Sequence, residues 1–283
     1  MAAYDQHHFV PRFLLEAWRS APDGLLSTFH WDYHKNLRHG RHSPKGVAKL
    51  FQLYSLKTSP DANWIERDFL GPKVDDPGAA AYHAIMNLGV DKLSPEQVDA
   101  WARFLVSLMV RGPDMVALAR ARGGDVLRQT LAERPDEYLA ARGNDPAKTL
   151  LEYVENNRPE IFHDIAPRIL PDLVMSPNLT NAIRDAIWMT QDFTQSTVDL
   201  CIGDRPLIYL GTMASSFLLA LPLSPRKVFF AFNEPQTGKN LAGRPVSALA
   251  RQLNLHTVTQ AMQYVYAAHS GHHEFIRRHL AQP

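Results

Sequence analysis

Apolar and polar positions follow two different periods along the chain. An apolar run at Phe13-Leu14-Leu15-Glu16-Ala17-Trp18 is long enough for one or two helical turns, and Ala21-Pro22-Asp23-Gly24 signals a turn after it. The next stretch alternates with period two: Phe29, Trp31 and Tyr33 fall on one face and His30, Asp32 and His34 on the other, which predicts a half-buried strand. Residues 35–49 are basic and poor in apolar positions, and Phe51, Leu53 and Tyr54 resume an extended segment. The period then becomes helical. Val98, Trp101, Ala102, Leu105, Leu108 and Met109 form one stripe, opened by Ser94-Pro95-Glu96. It stops at Arg111-Gly112-Pro113, because the residue before a proline is pushed out of the α region. Further helices are expected over 62–70, 77–88, 114–121, 125–141, 146–156 and 177–193, with 122–172 as the least packed part. The runs 197–210, 215–223 and 226–233, β-branched or aromatic and separated by Gly and Ser-Pro punctuation, predict a small sheet. A helix at 244–253 follows, then one whose stripe is Val258, Ala261, Met262, Val265 and Ala268.

The expected fold is therefore α+β and mainly helical, a single domain over 1–283. It divides into a β-containing N-terminal segment (1–58), a helical region (59–195) and a small sheet plus C-terminal helices (196–283). Composition agrees: 283 residues, 45% hydrophobic and 21% charged, supply a sizeable interior. The longest apolar stretches, such as 217–223, fall short of the roughly 18 residues that span a bilayer. The N-terminus lacks a basic region followed by an apolar core, so a cytoplasmic location is expected. Cys201 is the single cysteine, which excludes an internal disulfide and any zinc site built on two thiolates. Thirty Lys and Arg against 29 Asp and Glu leave a net charge of +1, so nucleic-acid binding would need a local patch.

Spacing rules out several chemistries. Thr237-Gly238-Lys239-Asn240 resembles the end of a phosphate-binding loop, but Asn stands at 233 and 240 where Gly and Ser or Thr are required, and the segment reads as a turn. His272-His273-Glu274 begins like a zinc-protease helix, yet Arg277 occupies the second ligand position. The histidines cluster, six of 13 in the first 42 residues and four in the last 15. His30, Asp32 and His34 on one strand face could hold a divalent metal with a further ligand from elsewhere; the same alternation fits a solvated polar face. His269, His272, His273 and His279 read as surface residues. Lys35, Arg38, Arg41, Lys45 and Lys49, flanked by Trp31, Tyr33, Phe51 and Tyr54, could contact nucleic-acid phosphates with rings nearby for stacking, or form a solvated loop.

His7, His8 and Arg12 place two imidazoles and a guanidinium within a short span, the ingredients of a general base and an anion clamp. A similar His-His-x-x-Pro string occurs in His-Asn-His metal nucleases, where it leads into a Gly-containing hairpin; here the following residues read as helical. HHFVPRFLLEAW at the start, RGP at 111–113, CIGDRPL at 201–207 and the LPLSPRKVFFAFN segment together resemble the bacterial family called domain of unknown function 4238. On that resemblance His8, Val10 and Pro11 match its opening motif, Arg111 and Pro113 an Arg-x-Pro, and Asp204 and Pro206 an Asp-x-Pro. Gly112 stands where Thr is usual and Arg205 where Asn is usual. The resemblance implies one fold across the chain and carries no established activity.

Two functions fit these residues. One is a phosphodiester hydrolase acting on RNA or DNA, with His7 or His8 as base, Asp204 orienting it or holding a metal, and Arg12 or Arg111 neutralising phosphate charge. The other is a non-catalytic binding or regulatory module in which the same polar residues are a buried network that fixes the fold.

Overall fold

A computed structural model describes residues 5–20, 22–133, 138–140, 143 and 145–282. The chain begins with β1 (Gln6–His8), α1 (Arg12–Leu15), β2 (Leu26–Trp31), β3 (Leu37–His42) and β4 (Lys49–Phe51). A π-helix (Ile65–Asp75) runs directly into α2 (Asp76–Leu88), followed by α3 (Pro95–Val110), α4 (Pro113–Ala132), α5 (Leu150–Asn157), α6 (Glu160–Val174) and α7 (Pro177–Arg184). The last third holds β5 (Ile187–Asp192), β6 (Ile202–Gly203), β7 (Ile208–Gly211), β8 (Phe217–Ser224), β9 (Lys227–Phe232), α8 (Pro235–Ala242), α9 (Val246–Gln260), β10 (Val265–Ala267) and α10 (His273–His279). The fold is α+β and mainly helical. Among the described residues no helix is long and apolar enough to cross a membrane.

α3 is the hub of the core. Ser94 caps it, its hydroxyl taking the Gln97 N–H while the Gln97 side chain returns to the Ser94 N–H, so two of the helix's unpaired donors are satisfied at once. Trp101, Phe104 and Leu105 are wholly buried, with Trp101 set edge-on to Phe229 of β9. This joins the helical layer to the antiparallel sheet β5-β9-β8-β7. A second antiparallel sheet, β3-β2-β10-β6, pairs strands from opposite ends of the chain, Val265 facing Phe29 and Gly203. The short ladder β1-β4 sets His8 opposite Lys49.

Several expected elements are replaced, each for a physical reason. The helix expected over 177–193 ends at Arg184, and β5 takes Ile187–Asp192 because β9 offers a full ladder of partners. The helical stripe expected from Val258 to Ala268 stops at Gln260, and Val265–Ala267 is strand. The carboxylate of Asp204 takes the backbone N–H groups of residues 262–264, which draws the chain out of the helix. The helices expected over 114–121 and 125–141 are one helix through Ala132; residues 138–140 are helical as expected, while 134–137 and 141 lie outside the described residues, as does Ala21 of the expected turn. Gly123 lies inside that helix because a Cβ there would stand 2.4 Å from the Ile165 side chain; its absence lets α4 and α6 approach closely. Nor is 122–172 loosely packed throughout: α6 buries Asp164, Ala166, Pro167, Leu170 and Val174. The basic stretch after 35 contains a strand, β3, while Tyr33 sits in the turn before it, 95% exposed rather than on the core face. Residues 237–240 belong to α8, where Gly238 leaves room for the Phe232 ring.

Candidate functional site

The opening motif folds as a short strand and then enters α1, and its two histidines part company. His7 is fully buried; its Nδ1 accepts the Tyr54 N–H at 2.9 Å, and its ring stacks on Tyr54 at 5.4 Å. His8 is half-buried, with its Nε2 3.4 Å from the Lys45 carbonyl. Burial holds its basicity below the ordinary range, with the positive charges of Lys49 and Arg111 adding to the effect. Arg111 has no exposed surface. It donates from Nη1 to Asp75 Oδ1 (2.6 Å) and from Nη2 to the His8 carbonyl (2.7 Å), while its own carbonyl accepts the Tyr54 hydroxyl (2.6 Å). Glu66 completes this cluster, its Oε1 3.4 Å from the His8 N–H and its Oε2 buried without a partner among the described residues. Burial pushes the Glu66 carboxyl up to about 7.

Glu66 and Asp75 carry no motif, and helical reading of the sequence separates them. Nine residues in an α-helix is two and a half turns, which sets two side chains on opposite faces. The wider i→i+5 winding has a little over four residues per turn, so the same nine residues close two turns and bring both carboxylates to Arg111 and His8. Gly71 and Pro72 inside the segment mark in the sequence only that a regular α-helix is disfavoured there, glycine by its conformational freedom and proline by its missing N–H and ring.

Asp204 is almost wholly buried and occupied on both oxygens: Oδ1 accepts the Met262 N–H (2.8 Å), Oδ2 those of Gln263 (2.7 Å) and Tyr264 (2.9 Å). Burial raises its carboxyl above the usual range, and the three N–H groups and Arg205 oppose the rise. Asp204 also borders a cleft of about 530 Å3 together with Phe9, Lys49, Pro113, Tyr264 and Tyr266. The three motif regions therefore meet at one place, from residues more than 190 positions apart. Trp31, His30 and His42 add rings to the same cleft. His42 Nδ1 lies 2.9 Å from the Thr28 hydroxyl, the His30 ring lies 5.1 Å from Tyr264, and His30 Nδ1 is buried without a partner among the described residues.

The other expected site residues are elsewhere or already engaged. Arg12 is exposed and pairs with Glu16 one helical turn on. Asp32 braces the turn from β2 to β3, accepting the Asn36 N–H (2.8 Å) and Arg38 Nε (2.6 Å), with His34 exposed in that turn. Among the described residues no group of three or more His, Cys, Asp or Glu is gathered as metal ligands would be, His30, Asp32 and His34 included. Of the basic interval, Lys35 occupies the turn at φ +58°, Arg38 is held by Asp32, and Arg41 is bound by Asp23, Ser20 and two backbone carbonyls. Lys45 is exposed, and Lys49 alone of the five borders the cleft. Of the C-terminal histidines, His272 is buried rather than on the surface.

The two positions that depart from the resembled pattern touch the same acid. A Cβ at Gly112 would stand 2.7 Å from Asp114 Oδ1, and the Asp114 carboxylate pairs with Arg205. A small residue at 112 leaves room for the acid that holds the arginine at 205. No curated protein and no solved structure matches the chain. The model of one family, described as protein of unknown function (DUF4238), matches residues 6–271, which include all three motif regions, and the chain belongs to that family.

Proposed function

We propose that the protein is a binding module whose cleft takes a nucleotide or a short single-stranded nucleic-acid segment, with the polar cluster behind the cleft serving the fold. The observation that carries this reading is how Asp204 and Arg111 are used. A carboxylate whose two oxygens serve three backbone donors is a structural cap, not the partner of an imidazole. A guanidinium with no exposed surface, bound to Asp75 and the His8 carbonyl, cannot meet charge developing on a phosphate. What faces the cleft is different in kind: the rings of Trp31 and Tyr264 for stacking on bases, and Lys49 with His42 for phosphate.

The test is fluorescence polarisation with labelled oligo-dT and oligo-U, with mononucleotides as competitors to separate the two ligand sources. Tyr264→Leu should weaken binding by about fivefold or more, the low end of one base–ring stack. Lys49→Ala should weaken it and reduce the salt slope by about one. Binding indifferent to both substitutions, or none at physiological salt, would overturn the reading. Cleavage of the probes with added magnesium or manganese would replace it with the hydrolase.

A further inference from the structure

A second cavity, about 400 Å3, shares no residue with the cleft. Most of its polar groups are committed to one another. Arg226 pairs with Asp199 and donates to the Phe193 (3.2 Å) and Ser196 (2.7 Å) carbonyls. The second Asp199 oxygen lies 2.9 Å from His269 Nε2. His269 Nδ1 accepts the Gly271 N–H at 3.0 Å, which leaves Nε2 to face Asp199. Asn254 is spent on the Asp199 carbonyl (2.7 Å) and the Cys201 N–H (2.9 Å).

Two lining groups are left over. Arg251 is exposed and has no hydrogen-bond or ion-pair partner among the described residues. His272 is 6% exposed, and its Nε2 is buried without a partner among the described residues. A buried polar atom left unpaired is rare enough in folded proteins to call for an explanation, and the polar group of a ligand is one. Burial pushes the His272 ring down to about 4, so near neutral pH it acts as a neutral hydrogen-bonding group. Two guanidiniums against one carboxylate then leave a surplus of a single positive charge in the lining. Phe275 and Val198 supply apolar surface, and the volume exceeds what a bare anion fills.

We propose that this cavity binds a small organic monoanion, a carboxylate on a flat apolar body, with Arg251 clasping the carboxylate and His272 Nε2 hydrogen-bonding to it. The planar fork of Arg251 suits a carboxylate's two oxygens, and one surplus charge balances a monoanion where a dianion would leave the site negative. Binding here is independent of the nucleotide reading of the cleft.

The probe is benzoate, with benzamide as its neutral counterpart and inorganic sulfate as the dianion, each titrated into the folded chain by calorimetry. A parallel titration follows the histidine ring resonances by NMR, with the His272 signal assigned by its loss in His272→Gln. Benzoate should bind saturably and shift the His272 resonance, with benzamide and sulfate at least about tenfold weaker. Arg251→Ala should cost benzoate about tenfold, while Lys49→Ala leaves it unchanged, which separates this site from the cleft. An unmoved His272 resonance, equal affinity for benzamide or sulfate, or indifference to Arg251→Ala would each overturn the proposal, and the comparison of benzoate, benzamide and sulfate on the wild-type chain needs no variant to fold.

Discussion

Asp204 receives three backbone N–H groups on two oxygens, so an amide in its place keeps the shape and sets at least one donor against another whichever way it turns. Asp204→Asn should therefore lower the denaturant midpoint by the equivalent of about 1 to 3 kcal/mol. An unchanged midpoint would mean the carboxylate is not holding the 262–264 segment. Glu66 tests the neighbouring cluster through pH. Burial raises its carboxyl from 4.5 to about 7 against the opposing charge of Arg111. Between those values the folded chain keeps a proton that the unfolded chain releases. Its stabilising contribution is thus complete below about pH 4.5 and is lost as pH rises through about 7, by at most about 1.4 kcal/mol for each step of one in pH. His272, lowered to about 4, has the opposite sign: its contribution is present above pH 6.5 and lost as pH falls toward 4. Subtracting a variant isolates one group from the other. Glu66→Gln keeps the shape of the protonated acid, so its midpoint should gain on the wild type's between pH 5 and pH 8. A difference that stays flat across that range would show that Glu66 does not titrate there.

Elements were legible in the sequence where a single face meets a single core. The Val98–Met109 stripe appears as α3 because its middle, Trp101, Ala102, Leu105 and Leu108, is buried, with Leu105 wholly enclosed. Pattern fails where a distant group decides the backbone. The stripe after Val258 is interrupted by a carboxylate some sixty residues earlier in the chain, and β5 becomes strand only because β9 waits beside it. The candidate site divides in the same way. His8, Arg111 and Asp204 could be picked out as unusual polar residues, whereas Glu66 and Asp75 become partners only through π winding, and Arg12 is drawn off to Glu16. That winding makes an unusual prediction. Replacing Gly71 and Pro72 with alanines raises intrinsic helix propensity by about 4 kcal/mol, yet α winding would turn Glu66 and Asp75 to opposite faces. The buried Arg111 would then lose its counter-charge, a loss of about 3 to 5 kcal/mol. The double variant should melt lower than wild type, not higher, in a thermal scan; a higher melting temperature would mean that Arg111 does not depend on the π-helix.

The molecule as a whole is sewn from its two ends. Trp18 Nε1 donates to the Leu200 carbonyl (3.2 Å), Trp31 Nε1 to that of Leu280 (3.1 Å), and β10 lies between β2 and β6 in one sheet. Asp164 is a second buried acid of the same kind as Asp204: it gathers the Lys57 and Thr58 N–H groups and fastens the N-terminal segment to α6. Contacts between residues so far apart in sequence are slow to form, because a long loop must close before they yield any stabilisation. The cleft inherits this order. Its walls run from Phe9 to Ala281, and the strand edge of β2 has no neighbour on the β10 side until residues 265–267 arrive. During synthesis, then, the N-terminal motif leaves the ribosome hundreds of residues before the cleft can close around it, and the exposed edge of β2 must stay unpaired for that interval. The cleft gains its Met262–Tyr266 wall only once that segment has been made, so a polypeptide interrupted before that point carries the motif without a complete cleft.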